Sequence, residues 1–361
     1  MKDQKIILAI LCVLTLVPWK TEAQHSDSPF SWNANFSAEE MSNLRGGLRR
    51  GSMADGLAHL TGTYDTEKAQ WWPGGQLTLG LLGIYSSRRT DLTGGSQSAS
   101  DIQASSRIRF HELVYAQKWN ETLTSRLGLM DLNDYFNVTR SAFSLMHSFF
   151  GTFPTLTVNT LAATYPLSGV GAIGSFNDET HEAQIGIFQG DPYHTRTVFH
   201  RGHMLMGEVG RHLWFEHSNS PVLTVKIGAW RYRQANPILG NTTNGIYGIS
   251  EARWGSEEDR NFSAFLQLGT NTRKRDTVRH YAGAGLRSQG LFESRPRDVL
   301  SLGIARAWIL ANPSEVVHEI MYSFQLTPEL SLRPDLQYIR KPSGTRPNAV
   351  VGILRLHAEF I

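Results

Sequence analysis

The segment from residue 223 to residue 230 reads LTVKIGAW, and its residues alternate in character one by one. One set of alternate positions is apolar throughout: Leu223, Val225, Ile227 and Ala229. The set between them is polar, small or aromatic: Thr224, Lys226, Gly228 and Trp230. Because successive side chains of a β-strand point to opposite faces, the pattern predicts a strand with one apolar face and one face of different character.

The same alternation recurs along most of the chain, in segments separated by clusters of Gly, Pro, Asn and Asp. Further strands are predicted at 76–84, 107–119 (with a change of phase near Glu112), 122–130, 155–161, 182–188, 262–269, 281–287, 299–308, 318–326 and 354–360. A short helix is predicted only at Ala38–Leu48, because Ser37 and Glu40 form a capping-box pattern before it. The fold class is therefore all-β.

Two all-β architectures are compatible with this alternation. A soluble sandwich would bury the apolar face in a core, whereas an outer-membrane β-barrel would turn it toward lipid and line a water-filled lumen with the other face. The barrel is favoured because the presumed inner faces carry ionisable residues separated by small ones. Aromatic residues also cluster near predicted strand ends, as interfacial girdles require: Trp71–Trp72, Trp119, Tyr135–Phe136, Phe149–Phe150, Trp214–Phe215, Trp254, Trp308 and Tyr338.

The composition excludes several other classes of protein. The net charge of +3 does not fit a polybasic nucleic-acid binder, and a single cysteine leaves no disulfide scaffold or cysteine-based metal cluster. The mean hydropathy of −0.28 leaves no room for many apolar helices. A barrel is still compatible with this average, since only every second residue of its strands faces lipid.

The beginning of the chain has the pattern of a signal peptide. Lys2 and Lys5 precede the apolar stretch 6–17, and the small-x-small sequence 21–23 offers a cleavage site. We therefore expect a signal peptide at 1–23, an N-terminal extension with the short helix at 24–48, and a barrel domain at 49–361. The residues after the signal peptide would give about 16 antiparallel strands of roughly 21 residues each, connections included.

Several stretches resemble a known family, the carbohydrate-selective porins of the OprB type. The resemblance is strongest in the C-terminal block: EVVHEIMYSFQLTP at 315–328, LRPDLQYI at 332–339, KPSG at 341–344 and NAVVG at 348–352. Weaker landmarks occur in the expected order at 62–65, 128–136, 148–154 and 295–303. The resemblance implies a 16-stranded barrel in the cell outer membrane that lets small sugars, such as glucose-type monosaccharides, diffuse passively down their gradient.

Residues at the polar set of alternating positions in the predicted strands are the candidates for lining the lumen and contacting the permeating sugar: Arg107, Arg109, Arg126, Lys226, Glu319, Arg333, Asp335, Gln337, Arg355, His357 and Glu359. An arginine fork can bond several sugar hydroxyls at once, and carboxylates can hold the fork in place. No catalytic spacing, cofactor motif or metal site is predicted. The expected partners are permeating sugars, outer-membrane lipid and the barrel assembly machinery that reads the last strand, and no nucleic acid.

Two other functions remain open from the sequence. A secreted carbohydrate-binding β-sandwich would share the alternation and would need no membrane. An outer-membrane barrel enzyme would need a serine or carboxylate pair at the rim of the barrel. Homo-oligomerisation also remains open.

Overall fold

The computed structural model describes residues 28–88, 91–194, 198–214, 223–234, 242–255 and 260–360. In these ranges the chain forms sixteen strands: β1 (Phe30–Arg45), β2 (Gly51–Asp65), β3 (Gly75–Ser86), β4 (Arg107–Lys118), β5 (Leu123–Met130), β6 (Gly169–Asn177), β7 (His181–Gln189), β8 (Gly202–Leu213), β9 (Leu223–Gln234), β10 (Thr242–Gly255), β11 (Asn261–Asn271), β12 (Val278–Gln289), β13 (Val299–Ile309), β14 (Glu315–Gln325), β15 (Leu330–Arg340) and β16 (Ala349–Phe360).

The remaining regular structure consists of short helical pieces. Two α-helices, α1 (Ser148–Gly151) and α2 (Pro154–Thr157), lie between β5 and β6 together with the 3-10 turns Leu132–Asp134 and Arg140–Ala142, and a third 3-10 turn is at Pro342–Gly344. Among the described residues, no helix combines the length and the apolar character needed to cross a bilayer.

The sheet closes on itself. Each strand pairs antiparallel with its sequence neighbours, and β1 pairs with both β2 and β16, so that no strand edge is left open. The predicted barrel of sixteen antiparallel strands is therefore confirmed. The sandwich architecture is excluded, because a single closed sheet has no second sheet to pack against.

The alternation predicted for β9 matches the two faces of the barrel wall. Ile227 points outward and is 63% exposed, whereas Lys226 and Trp230 point inward and are buried. Outward positions of β8 and β11 are also large and apolar, as in Val209 and Leu266. The exterior therefore has the apolar surface that contact with lipid requires, and the polar phase faces the lumen.

The two ends of the barrel differ in their connections. We call the end where β1 begins and β16 ends the terminal end, and the opposite end the loop end. The strands are joined at the loop end by the two longest connections, residues 87–106 and 131–168. Residues 91–106 of the first connection and the whole of the second fold back into the lumen. The inside of the barrel is therefore filled partly by chain segments and not only by side chains of the wall.

The predicted aromatic girdle is partly correct. Trp71, Trp72, Trp119, Trp214 and Trp254 are exposed at the terminal end, and Tyr338 is exposed toward the loop end. The pairs Tyr135–Phe136 and Phe149–Phe150 instead lie inside the lumen on the connection 131–168, where the three phenylalanines are fully buried. Phe215 lies outside the described residues.

The helix predicted at Ala38–Leu48 is wrong, because this stretch forms most of β1. Residues 34–43 pair with β16 on one side and with β2 on the other, and this pairing on both edges outweighs the local helix signal. Ser37 of the supposed capping box faces the lumen and bonds His357 Nδ1 at 2.9 Å, while Glu40 points outward. The barrel therefore begins at residue 30 and not at residue 49.

Two finer predictions have opposite outcomes. The change of phase near Glu112 is confirmed, since the register between β3 and β4 shifts opposite Gly80. The strand predicted at 155–161 is wrong, because this stretch lies inside the lumen and begins as helix α2 with Pro154 in its first turn. A segment enclosed by a closed barrel finds no free strand edge with which to pair.

We predict that Leu354→Arg impairs assembly of the barrel in membranes. Leu354 points outward between β1 and β15 and is 52% exposed, so an arginine there would meet lipid at a cost of about 2–4 kcal/mol near the bilayer midplane. The measurement is the folded fraction in lipid vesicles as a function of urea concentration.

The matched control is Leu291→Arg, which places the same charge on an exposed position of the connection after β12. This control should fold like the parent chain. Equal folding of both variants would show that Leu354 does not face lipid.

Candidate functional site

The connection between β5 and β6, which we call the long inner loop (residues 131–168), enters the lumen and packs there as a small apolar cluster. Phe136, Phe149, Phe150 and Phe153 are all buried between the loop and the inner face of the wall. Their rings meet aromatic side chains of the wall edge to face, as in the contact of Phe150 with Phe265. The loop is therefore a fixed part of the lumen and narrows it.

Carboxylates of the wall hold the backbone of the long inner loop. Glu319 of β14 accepts hydrogen bonds from the backbone N–H groups of Met146 and His147, the second at 3.1 Å. Glu251 of β10 accepts from the N–H of Ser141 at 2.7 Å. Such N–H groups would otherwise be buried without partners, so the inward carboxylates determine where this irregular segment can sit.

Neutral side chains on β11 and β12, between the strands of Glu251 and Glu319, add further anchors. Tyr281 of β12 donates its hydroxyl to the Phe149 carbonyl at 2.7 Å, and Gln267 of β11 donates to the Phe150 carbonyl at 3.0 Å. Asn271 of β11 donates to the Thr155 carbonyl at 2.8 Å. These anchors thus attach the loop to one continuous part of the wall, from β10 to β14.

A second segment, the short inner loop (residues 91–106, between β3 and β4), is fixed in the same way. Arg355 of β16 joins Glu39 of β1 at 2.7 Å to Asp101 of this loop at 2.6 Å. Gln337 of β15 donates to the Ala99 carbonyl at 2.8 Å. Met146 of the long inner loop accepts at its carbonyl from the N–H of Asp101, so the two loops also contact each other.

Between the long inner loop and the terminal end, the lumen contains two polar cavities. The first has a volume of about 620 Å³ and adjoins β10 to β16, and the second has a volume of about 680 Å³ and adjoins β5 to β10. They share Arg140, Ser141 and Arg253 as lining residues. This arrangement provides open space with a polar lining on the terminal side of the loop, in which a small polar molecule fits.

The geometry of a closed barrel narrowed by an inner loop agrees with the family comparison. The model for "Carbohydrate-selective porin, OprB family" matches residues 60–360. The chain belongs to this family. The resemblance noted in the sequence is thereby confirmed, and the family and the fold are those of a channel located in the outer membrane.

Two similar proteins from Pseudomonas are distant in sequence from this chain. Porin B of Pseudomonas aeruginosa is 27% identical over a stretch that covers 29% of this chain and 29% of that protein, so this chain spans less than a third of that relative. The high-pH structure of OprB from Pseudomonas putida is 18% identical with a TM-score of 0.82, covering 92% of this chain and 95% of that one. Its low-pH structure is 17% identical with a TM-score of 0.63, covering 92% and 93%.

Five of the eleven residues predicted to line the lumen of this porin do line the two cavities: Arg126, Lys226, Arg333, His357 and Glu359. In the second cavity Arg126 donates to Ser175 Oγ at 3.1 Å and lies over the Tyr135 ring, and Lys226 faces Glu182 at 3.7 Å. In the first cavity Arg333 donates to Ser331 Oγ at 3.0 Å. These residues are the part of the predicted site that adjoins open space.

Four other predicted residues point inward but are buried in contacts that hold the inner loops. Glu319, Gln337 and Arg355 make the anchoring contacts described above, and Asp335 accepts a hydrogen bond from Gln337 at 2.9 Å. They do not line either cavity. Their inward direction could be read from the alternation, but the presence of a loop in front of them could not.

The remaining two predicted residues, Arg107 and Arg109, lie on β4 near the loop end. Arg109 donates to the Pro166 carbonyl of the long inner loop at 3.2 Å, and Arg107 donates to the carbonyl of Ser105 at 3.3 Å. Neither lines the two cavities, which are on the terminal side of the loop. The structure therefore separates these two arginines from the predicted charged residues that line the cavities.

Sequence reasoning missed three arginines of the first cavity. Arg253 and Arg287 occupy inward positions of β10 and β12, so the alternation of these strands contains the signal that would have found them. Arg140 belongs to the long inner loop, and no periodic pattern indicates that it faces a cavity. The carboxylates Glu208 and Glu251 were also missed, although both lie in the inward phase of their strands.

The long inner loop carries acidic groups in an unfavourable environment. Burial, reinforced by the negative charge of Glu112, raises the pKa of Asp134 to about 7. Burial, together with the neighbouring charge of Asp134, also raises the pKa of Asp131 well above its usual range. Docking of this part of the loop therefore favours the protonated carboxyl groups.

We predict that Glu319→Gln loosens the long inner loop. A carboxamide has only one oxygen, so one of the two N–H groups now accepted by Glu319 would lose its partner at a cost of about 1–3 kcal/mol. Hydrogen exchange at Met146 and His147 should become roughly tenfold faster or more, since about 1.4 kcal/mol corresponds to a factor of ten.

Glu359→Gln is the matched control, because Glu359 lines the first cavity and has no hydrogen bond to the loop in the described part of the chain. Exchange in the loop should be unchanged in this variant. If Glu319→Gln left the exchange as slow as in the control, Glu319 would not anchor the loop.

We also predict that docking of the long inner loop weakens as the pH rises. The pKa of Asp134 is about 7 in the docked loop and 3.8 without the protein environment, so the docked state binds the proton more tightly. The stabilisation present at low pH is therefore lost progressively as the pH rises from about 4 through 7. Hydrogen exchange of the loop, corrected for its intrinsic pH dependence, should be faster at pH 8 than at pH 5.

The variant Asp134→Asn should show a smaller difference between the two pH values, because its side chain cannot ionise. The same pH dependence in the variant and in the parent chain would show that Asp134 does not control the docking.

Proposed function

We propose that this protein is an outer-membrane porin through which small carbohydrates, such as glucose-type monosaccharides, diffuse passively. The observation that supports this most directly is the pair of polar cavities inside a closed barrel with an apolar exterior, in a member of the carbohydrate-selective porin family. Disaccharides such as maltose are the next candidates by size.

The physical problem that such a channel solves is the cost of moving hydroxyl groups into lipid. Each sugar hydroxyl would lose its hydrogen bonds to water, at about 2–7 kcal/mol per group. A hydrated lumen keeps these groups bonded throughout the passage. Binding inside the lumen has to be weak, because a tightly held sugar would block conduction.

The cavities carry the groups that recognise a sugar. Arginine supplies five N–H donors in a rigid fork, and Arg126, Arg253 and Arg333 line the cavities together with serine and amide side chains. Phe143 of the long inner loop is 60% exposed in the first cavity, where its ring can cover the apolar face of a pyranose. We propose that these residues form the sugar path on the terminal side of the loop.

The other predicted lumen residues have different proposed roles. Arg107 and Arg109 would meet the permeant on the loop-end side of the long inner loop. Glu319, Asp335, Gln337 and Arg355 would act on selectivity indirectly, because they determine how far the two inner loops narrow the lumen.

We further propose export through a signal peptide at residues 1–23, which lie outside the described residues, and assembly by the barrel assembly machinery. Outer-membrane lipid would surround the exterior. We assign no enzymatic activity to the chain, and no observation favours a barrel enzyme over a channel.

The test is reconstitution of the purified protein in planar lipid bilayers. We expect stable conductance steps that decrease reversibly when glucose or maltose is added. No conductance steps with correctly folded protein would contradict the porin proposal, and steps unaffected by either sugar would contradict sugar passage through this lumen.

Within this assay we predict that Phe143→Ala weakens the block by sugar several-fold while the conductance without sugar stays the same or increases. This substitution removes an exposed aromatic ring from the lining of the first cavity. Phe292→Ala, on an exposed connection at the terminal end, is the control and should leave the block unchanged. An equal block in both variants would remove Phe143 from the sugar path.

A further inference from the structure

The first cavity has a lining in which positive charge predominates. Four arginines line it, against a single carboxylate, Glu359. The arginines come from four different elements of the chain: Arg140, Arg253, Arg287 and Arg333. Their positive charges are thus placed around one space by the fold, and not by proximity in sequence.

Neutral groups hold two of these arginines in position. Arg287 donates to Asn261 Oδ1 at 2.8 Å and to Gln289 Oε1 at 3.1 Å, and Arg333 donates to Ser331 Oγ at 3.0 Å. In the described part of the chain, none of Arg140, Arg287 and Arg333 forms an ion pair. Their charge is therefore not cancelled by a bonded carboxylate and can act on a ligand.

The second cavity has the opposite character. Its lining includes seven acidic residues, among them Glu182, Glu208 and Glu251, against Lys226 and the arginines at 126, 140 and 253. The lumen on the terminal side of the long inner loop is therefore divided into a positive half and a predominantly negative half. The electric field of these lining charges attracts an anion toward the first cavity and repels it from the second.

The first cavity also contains the groups that a carbohydrate needs. Phe143 offers an exposed ring, while Ser144, Ser263 and Gln325 offer hydroxyl and amide groups to sugar hydroxyls. Its volume of about 620 Å³ lies within the usual range for small-ligand sites, roughly 300–1,000 Å³. A ligand with a pyranose ring and a negative charge would use both parts of this lining.

We propose that the first cavity is a binding site for anionic carbohydrates, namely sugar acids whose carboxylate is bound by the arginine side chains of Arg140, Arg287 and Arg333. Arginine pairs with carboxylate through two parallel hydrogen bonds, and this geometry is not available to a neutral hydroxyl. The inference rests on the proposed channel function. It makes that function more specific, because it states that the channel prefers sugar acids to neutral sugars.

The experiment uses the full-length protein in planar bilayers, first without sugar and under a gradient of potassium chloride. The reversal potential should show a preference for chloride over potassium. Glucuronate should then reduce the conductance at a concentration about tenfold lower than glucose requires. Acetate at the same concentrations tests whether a carboxylate alone is sufficient, and it should block much less than glucuronate.

The double variant Arg287→Gln, Arg333→Gln keeps polar side chains of similar length but removes two charges. It should lose most of the preference for glucuronate over glucose, because the block by glucuronate weakens much more than the block by glucose. Arg231→Gln is the matched control, because Arg231 is exposed on the outer face of β9 and should leave the preference unchanged.

The outcomes separate this inference from the proposed function. Failure to form channels would contradict the porin function itself and the inference with it. Channels that are blocked by glucose at the same concentration as glucuronate would overturn the inference alone. Equal block by acetate and glucuronate would also overturn it, because the site would then recognise any carboxylate and not a carbohydrate.

Discussion

The organisation of the lumen depends on carboxylates of the barrel wall that accept hydrogen bonds from the backbone of the inner loops. A segment without a strand partner exposes N–H groups that cannot be buried without acceptors. Glu319 and Glu251 supply these acceptors to the long inner loop, and Glu315 supplies them to Ser96 of the short inner loop. The wall thereby determines the path of the loops, and the loops determine the shape of the remaining space.

This dependence divides the charged residues of the lumen into two groups. Those covered by a loop, such as Arg355 with its two carboxylate partners, maintain the shape of the lumen. Those left uncovered, such as Arg333 and Arg126, line the two cavities and are available to a passing molecule. Because the residues of both groups point into the lumen from their strands, a shift of a loop would cover some of the exposed ones and expose some of the covered ones.

The sequence predicted the wall well because the alternation is a local consequence of the two faces of a strand. Residues 223–230 show this directly. The prediction from the sequence failed at 38–48. There, a local helix signal opposed pairing with β16, a partner more than 300 residues away. It also failed at 155–161 and could not find Arg140, because the position of a loop inside the lumen is set by hydrogen bonds from distant strands and by no period in the loop itself.

The closure of the barrel between β1 and β16 has a consequence for folding kinetics. The contact of Ser37 with His357 joins positions 320 residues apart, so the last seam of the sheet cannot form until nearly the entire chain is available. Contacts at such separation make folding slow. Until that seam forms, two strand edges offer unpaired backbone groups to other chains, and the intermediate is prone to aggregation. A molecule of this topology therefore benefits from a catalyst that protects both edges while the cylinder is being completed.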